Sequence, residues 1–451
     1  MNTRRISAAK SIILLLTLVA LPAFSSEFSF EADHSLPLVY VNIALKGGAT
    51  QDPDGKNGVT DLMSRLLLRG TKFKTKQQVD QTLDQLGAEL DTETRAEYIV
   101  LRGSVLSENI VPFLALLEEI ITTPSFRSTE FEKLKKEHIS EVLDQLNNDQ
   151  KLIRTKFDQV FFQGHPYSKA NMGKIKDIQA LTLTDIQNQY KHLMDQSRML
   201  ILAAGDTQES AFDSFIQHIN AKQNFKTNIE SIPTFKNVPQ KLRVVIFDKP
   251  DRTQTQVVIA QSGISFKDPS YDALQLGNFA FGGGSFLSKL MIELRVKRGW
   301  TYGAGSGFKM GSQPHTWRAS FFPKNSDTPP AIKQALKMIT DLRDHGITQE
   351  EFDAAKRSMV NSAGFSYNTP SKRIENMLVE KVFGLPAGFH KDTARRIQAL
   401  TLSDVNNAFK AFIQPDHLMV GLVGTASISR AAIAKELGIP EKSVEVVDYA
   451  F

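Results

Sequence analysis

Between Gly58 and Thr71 the chain sets Val59, Leu62, Met63, Leu66 and Leu67 at helical spacing and then meets Gly70. The spacing predicts a helix with one apolar stripe, and with Asp61, Ser64, Arg65 and Leu68 on its other side. Before it, residues 38–45 read as a strand, followed by turn signals at Gly47-Gly-Ala and Asp52-Pro-Asp-Gly55. After it, a second helix is expected over 75–86, and Gly87 leads into strands within 88–105. There Tyr98, Val100 and Arg102 alternate with Ile99, Leu101 and Gly103, as in a sheet with one wet face. Amphipathic helices are expected over 108–121 and 129–146, the latter opened by the cap-like pair Ser128-Thr129.

The pattern then returns. Ile178-Gln-Ala-Leu-Thr-Leu-Thr-Asp-Ile186 recurs as Ile397-Gln-Ala-Leu-Thr-Leu-Ser-Asp-Val405, and each copy leads through a helix into a strand, 199–205 and 418–424, at one offset of 219 positions. Matched helix, strand and glycine at a single offset indicate a duplication. The second copy restarts with a strand at 255–260, then Asp268-Pro-Ser-Tyr271 and a helix through Phe281. Strands followed by runs of helices, without strict alternation, imply an α+β fold of two homologous domains, 26–221 and 242–451. The polar stretch 222–241, with Pro233 and Pro239, is their expected linker.

Composition adds a compartment. Arg4, Arg5 and Lys10 precede an apolar run from Ile12 to Leu21 and the small-x-small sequence Ala23-Phe-Ser25, so residues 1–25 read as a cleavable secretory signal. Secretion of a 451-residue chain without cysteine points to a self-sufficient core in a bacterial periplasm, with no further stretch suited to membrane insertion. The net charge of +5 falls to about +2 once the three basic residues of the signal are removed, a balance that argues against nucleic acid.

The candidate chemistry clusters in two motifs. The segment Gly58-Val-Thr-Asp-Leu-Met-Ser-Arg-Leu-Leu-Leu-Arg-Gly-Thr71 resembles the first-helix signature Gly-x-x-His-x-x-Glu-His of the pitrilysin/insulinase family of zinc peptidases, in its mitochondrial-processing-peptidase-like branch. The resemblance puts the zinc-binding histidines on Asp61 and Arg65, the catalytic glutamate on Ser64 and the third ligand on Glu141. A serine hydroxyl does not serve as that base near neutral pH, and an arginine cation repels Zn²⁺. No zinc is therefore expected in this chain, and Asp61, Arg65 and Glu141 are expected to form an ion cluster instead. Gly164-His165-Pro-Tyr167 also matches the family, with His165 read as structural. His138, three residues before Glu141, reads as a surface coincidence.

The second motif runs Phe281-Gly-Gly-Gly-Ser-Phe-Leu-Ser-Lys-Leu-Met-Ile-Glu-Leu-Arg-Val-Lys-Arg-Gly-Trp-Thr-Tyr-Gly303. It resembles the family's second-domain motif, whose Arg and Tyr, here Arg295 and Tyr302, hydrogen-bond the substrate and the charge developing on the scissile carbonyl. Phe286, Leu290 and Leu294 are expected to form its buried side. The glycines lack the Lys-Ser/Thr ending of a phosphate cradle, and Gly305-Ser-Gly307 is not a nucleophile elbow. The resemblance also implies two halves facing each other as a clam-shell, each a sheet backed by helices. Substrate is expected to lie as an added strand near Asp91. The function so implied is a non-catalytic subunit that completes, in trans, the active site of a homologous zinc-bearing partner and binds extended peptide. The alternative is a peptide-binding or scaffold protein without a peptidase partner, as in the related core subunits of a respiratory complex.

Overall fold

The structure, a computed structural model, describes residues 26–194, 199–222 and 230–450. The expected signal, 1–25, and part of the expected linker, 223–229, lie outside the described residues. The first half runs β1 (Glu27–Ala32), β2 (Leu38–Lys46), α1 (Val59–Leu67), α2 (Lys76–Leu86), β3 (Glu89–Thr94), β4 (Tyr98–Leu106), α3 (Ile110–Thr122), α4 (Ser128–Asn147), α5 (Asp149–Phe161), α6 (Ile175–Ala180), α7 (Leu183–Leu193), β5 (Met199–Gly205) and α8 (Asp213–Lys222). The second half repeats it as β6 (Arg243–Asp248), β7 (Gln256–Ser262), α9 (Tyr271–Asn278), α10 (Lys289–Met291), β8 (Thr301–Lys309), β9 (Thr316–Pro323), α11 (Thr328–His345), α12 (Gln349–Ala363), α13 (Pro370–Phe383), α14 (Thr393–Ala399), α15 (Leu402–Phe412), β10 (Met419–Gly424) and α16 (Ala426–Leu437). A further strand, β11 (Val444–Asp448), closes the chain.

The duplication is visible in the hydrogen bonding. One sheet has the order β1-β5-β2-β4-β3 and the other β11-β6-β10-β7-β9-β8, the same order with one strand added. Both are mixed and mostly antiparallel, with β1 parallel to β5 and β6 parallel to β10 at corresponding places. The α+β architecture of two helix-backed sheets is what the patterning implies.

Each half keeps its own helices on one face of its sheet and receives a helix from the other half on the opposite face. Ile374 and Leu378 of α13 pack with Ala44, Tyr98, Val100 and Leu202 of the first sheet. In return Leu152, Ile153 and Phe157 of α5 pack with Val245, Phe247, Val258 and Met419 of the second. Phe157 is fully buried, so truncating it to alanine costs on the order of 3–5 kcal/mol. The fit leaves no room across the contact: a Cβ on Gly421 would sit 2.6 Å from the Phe157 ring.

This exchange corrects the expectation of a wet face on β4. Tyr98 and Val100 are buried under α13, and Arg102 of the same face pairs with Glu375 of α13 at 3.0 Å. Two smaller expectations also fail. Helix α4 begins at Ser128 with Arg127 at its N-cap and no side-chain cap bond, and the helix expected through Phe281 ends at Asn278, giving way to a π-helical turn over Phe279–Gly283. Residues 230–241 form neither helix nor strand. They are held down where Phe235 packs on Phe162, with ring centroids 4.9 Å apart, and where His165 Nε2 bonds the Pro233 carbonyl at 2.8 Å. His165 is therefore structural, a tether between the end of the first half and the strap.

Candidate functional site

Helix α1 starts where the sequence allows only glycine. Gly58 has φ +98°, and a Cβ there would meet the Met172 carbonyl oxygen at 2.8 Å. The Asp52 carboxylate then caps the helix, accepting from the backbone N–H of Gly58 at 2.6 Å and of Thr60 at 3.2 Å. Thus fixed, α1 sinks nearly all its residues, Asp61 and Ser64 included, and leaves Arg65 and Leu68 only half-buried.

Arg65 joins the positions the first motif singles out. Its Nε lies 3.0 Å from Asp61 Oδ2, and its Nη1 donates to Glu141 Oε2 on α4 at 2.7 Å. Arg69, one turn on, pairs with Glu137 and Glu130, extending the row of charges between the two helices. The Ser64 hydroxyl is committed to the Asp61 carbonyl at 2.9 Å and to Thr94 Oγ1 of β3 at 3.1 Å.

The sequence misplaces one residue here. His138 is fully buried, not a surface coincidence, with Nδ1 3.6 Å from Asp61 Oδ2. Its Nε2 lies 2.7 Å from the Met172 carbonyl, which can only accept, so Nε2 carries a proton. That leaves His138 Nδ1 and Asp61 Oδ2, two buried atoms without a hydrogen bond, facing each other. Burial raises the Asp61 carboxyl above its ordinary range against the pull of Arg65 and His138, and burial lowers His138 against the pull of Asp61. The spacing His138-x-x-Glu141, on the same side of α4, was the available signal.

This donor set does not fit zinc. A guanidinium stands between Asp61 and Glu141, the imidazole of His138 is tied through Nε2 to a backbone carbonyl, and the general-base position carries a hydroxyl. Among the described residues no three His, Cys, Asp or Glu side chains stand together as a metal site.

The second motif has the opposite character. Arg295 lies in a π-helical turn over Ile292–Lys297, with its guanidinium 4.7 Å from the centroid of the Tyr302 ring and 5.0 Å from that of Phe286. Leu290 and Leu294 are buried beneath it, but Phe286 is 64% exposed and Tyr302 78%, so Phe286 is part of the surface and not of the buried side. Among the described residues neither the Arg295 nor the Tyr302 side chain has a hydrogen-bond or ion-pair partner; Tyr302 is exposed and Arg295 half-buried.

Between the halves lies a cavity of about 1020 Å³. Asp61, Arg65 and residues 92–94 of β3 line it from the first half, Lys309 and Arg318 from the second, and α5 runs along it. Asp91 is an exposed neighbour of that wall, set opposite Arg102 in the β3–β4 ladder. Burial and Glu93 raise its carboxyl against the pull of Arg102. Arg295 and Tyr302 are not among its lining residues: Gly303 and Met291, beside them, border a second cavity of about 270 Å³ that shares Arg154 with the first. The structure thus brings Asp61, Ser64, Arg65 and Glu141 together, with Arg295 and Tyr302 outside that bonded cluster.

Asp158 of α5 clasps the halves across the large cavity. It pairs with Lys309 at 3.0 Å and with Arg318, both from the second sheet. Burial opposes its ionisation, but Arg318 and Lys309 outweigh burial and hold its carboxyl down to about 2. Sequence patterning did not single it out.

Two family profiles match the chain, Insulinase (Peptidase family M16) over residues 28–174 and Peptidase M16 inactive domain over residues 180–359. The chain belongs to the insulinase (M16) peptidase family. Among M16 relatives it is 24% identical to a protein of Helicobacter pylori named non-peptidase homolog YmxG, over 87% of this chain and 90% of that one. Its fold superposes on the structure of a peptidase M16 inactive domain from Pseudomonas fluorescens with a TM-score of 0.83 and 24% identity, covering 89% of this chain and 96% of that one. It also superposes on the first half of the periplasmic protease PqqL from Escherichia coli, with a TM-score of 0.73 and 13% identity, over 95% and 97% of the two chains. In this M16 chain the helix whose sequence resembles the family's zinc signature bears an ion cluster.

Proposed function

We propose that this chain is the non-catalytic half of a zinc-peptidase pair. It binds extended peptide along β3 near Asp91 and supplies Arg295 and Tyr302 in trans to a homologous, zinc-bearing partner. The observation that carries this reading is the contrast within one chain: the zinc positions are closed by Arg65, whereas the half-buried Arg295 fork and the exposed Tyr302 phenol have no side-chain polar partner among the described residues. A cationic fork and a phenol donor are suited to an oxyanion in a partly dry cleft, where such bonds gain strength. The name of the Helicobacter relative supports absence of peptidase activity in this chain. A periplasmic location is supported by the signal-like residues 1–25 and by the likeness to a periplasmic protease; among the described residues no helix is long and apolar enough to cross a membrane.

The test is co-expression with an M16 homologue that carries His-x-x-Glu-His. Co-elution, and peptide cleavage above that of the zinc-bearing chain alone, are expected. An intact complex whose cleavage is unaffected by this chain would leave a scaffold role instead.

A further inference from the structure

The cavity between the halves is strongly lopsided in charge. Nine Lys and Arg side chains line it against four Asp and Glu; Asp61 is paired with Arg65, and Asp158 with Lys309 and Arg318, and what remains after those pairs is still mostly basic. Lys151, Arg154, Lys174 and Lys176 remain exposed on its wall without an ion-pair partner among the described residues. Two of them belong to one stripe. Lys151, Arg154, Thr155 and Asp158 recur at helical spacing on α5, opposite Leu152, Ile153 and Phe157, which are buried against the second sheet. Packing of the apolar face therefore aims the basic face into the cavity and holds it there.

One lysine of the wall is itself buried. Lys156, on the cavity wall and only 4% exposed, has its ammonium pushed down to about 8, by burial first and then by the like charge of Lys174, against the pull of Asp448.

The other wall says what kind of anion fits. Strand β3 ends the order of its sheet, paired only with β4, and its residues 92–94 border the cavity. An outer strand edge takes an extended chain by backbone pairing, which is indifferent to sequence, and leaves selection to whatever meets the alternate side chains. Here those side chains would meet Lys and Arg. We propose that the cavity selects extended peptides bearing acidic side chains, with backbone pairing on β3 and with Lys151, Arg154, Lys174 and Lys176 reading the carboxylates. This rests on the peptide-binding role proposed above and names its substrate class.

Fluorescence anisotropy on the purified protein tests it with three short unstructured peptides of one length, carrying glutamate, glutamine or lysine at alternate positions. The glutamate peptide is expected to bind about tenfold more tightly than the glutamine peptide in low salt, with the margin shrinking as salt is added. The lysine peptide is expected to bind weakest. The triple variant Lys151→Gln, Arg154→Gln, Lys176→Gln changes only exposed side chains. With an unaltered melting temperature, it should bring the glutamate peptide down to the glutamine level and leave the glutamine peptide unchanged. Equal binding of all three peptides overturns the acidic preference while the peptide-binding role stands. Failure of all three to bind removes that role, and this inference with it. If inorganic polyphosphate binds as tightly as the glutamate peptide, and alternate N-methylation of that peptide has no effect, the cavity is a general anion site and the assignment to peptides is overturned.

Discussion

The two motifs of this chain sit on equivalent scaffolds and have opposite fates. In the first half, the charges of α1 and α4 face one another and are mutually satisfied, from the buried Asp61 out to the exposed Glu141: Arg65 by Asp61 and Glu141, Arg69 by Glu137. In the second half, Arg295 is held only by the faces of Phe286 and Tyr302, and its hydrogen-bonding capacity is unspent. Removing one member of a partly buried charge cluster leaves the others uncompensated, so the first motif is tied to stability. An exposed donor with no internal partner can be deleted at little cost to folding, so the second is free to serve something outside the chain.

The largest effect expected from this contrast is on turnover. In the assembled pair, Arg295→Ala and Tyr302→Phe should each lower the rate about a hundredfold or more, the loss of roughly 3 kcal/mol typical of removing a donor to a developing oxyanion. Turnover should fall more than apparent affinity, with the melting temperature and co-elution of the complex unchanged. Unchanged turnover in an intact complex would erase the difference between the motifs.

Arg65→Met should act in the opposite way, destabilising the isolated chain by about 3 kcal/mol near neutral pH, because it strands the buried Asp61 carboxyl beside His138. Adding Asp61→Asn should recover much of that loss, as chemical denaturation of the single and double variants would show. A loss under about 0.5 kcal/mol would mean that the cluster behaves like an exposed ion pair.

A milder effect is expected on the acid limb of stability. The folded-state pKa of Asp158, about 2, lies below its ordinary value of 3.8. Its contribution is therefore present in full above that ordinary value and is lost as pH falls through about 2, roughly 2 kcal/mol in all. Asp158→Asn should flatten the pH dependence of unfolding in that window, and an unaltered acid limb would contradict the clasp. The smallest effect is none: added zinc should leave the melting temperature where it is, and metal analysis should find less than one equivalent. One tightly held zinc per chain, lost on Glu141→Gln, would break the comparison at its root.

Periodicity and repeats made much of this legible. The helix over Val59–Leu67, the capping of α2 by Thr75 and Gln78 before Gly87, and the paired Thr182-Asp185 and Thr401-Asp404 capping boxes are local devices, set by neighbours in sequence. The candidate positions Asp61, Ser64, Arg65 and Glu141 were also legible, because a helix frame and a family pattern fix their register. His138 was not. Its burial depends on the Met172 carbonyl and on Asp61 across the α1–α4 contact, and the i,i+3 spacing to Glu141 within its own helix does not reveal either partner. Phe286 was misjudged for the same reason: its spacing matches Leu290 and Leu294, but no element covers it.

The sequence by itself determined the elements, their duplication at an offset of 219 positions and the absence of histidine from the first helix, since all of these are questions of residue type and spacing. Only the tertiary structure decided that α5 and α13 are exchanged between the sheets, so that an apparently wet face of β4 is dry and a basic stripe of α5 looks into the cavity. An amphipathic pattern states that a face must be covered. Which distant segment covers it is set by the packing of the whole chain, where contacts far apart in sequence compete for the same apolar surface.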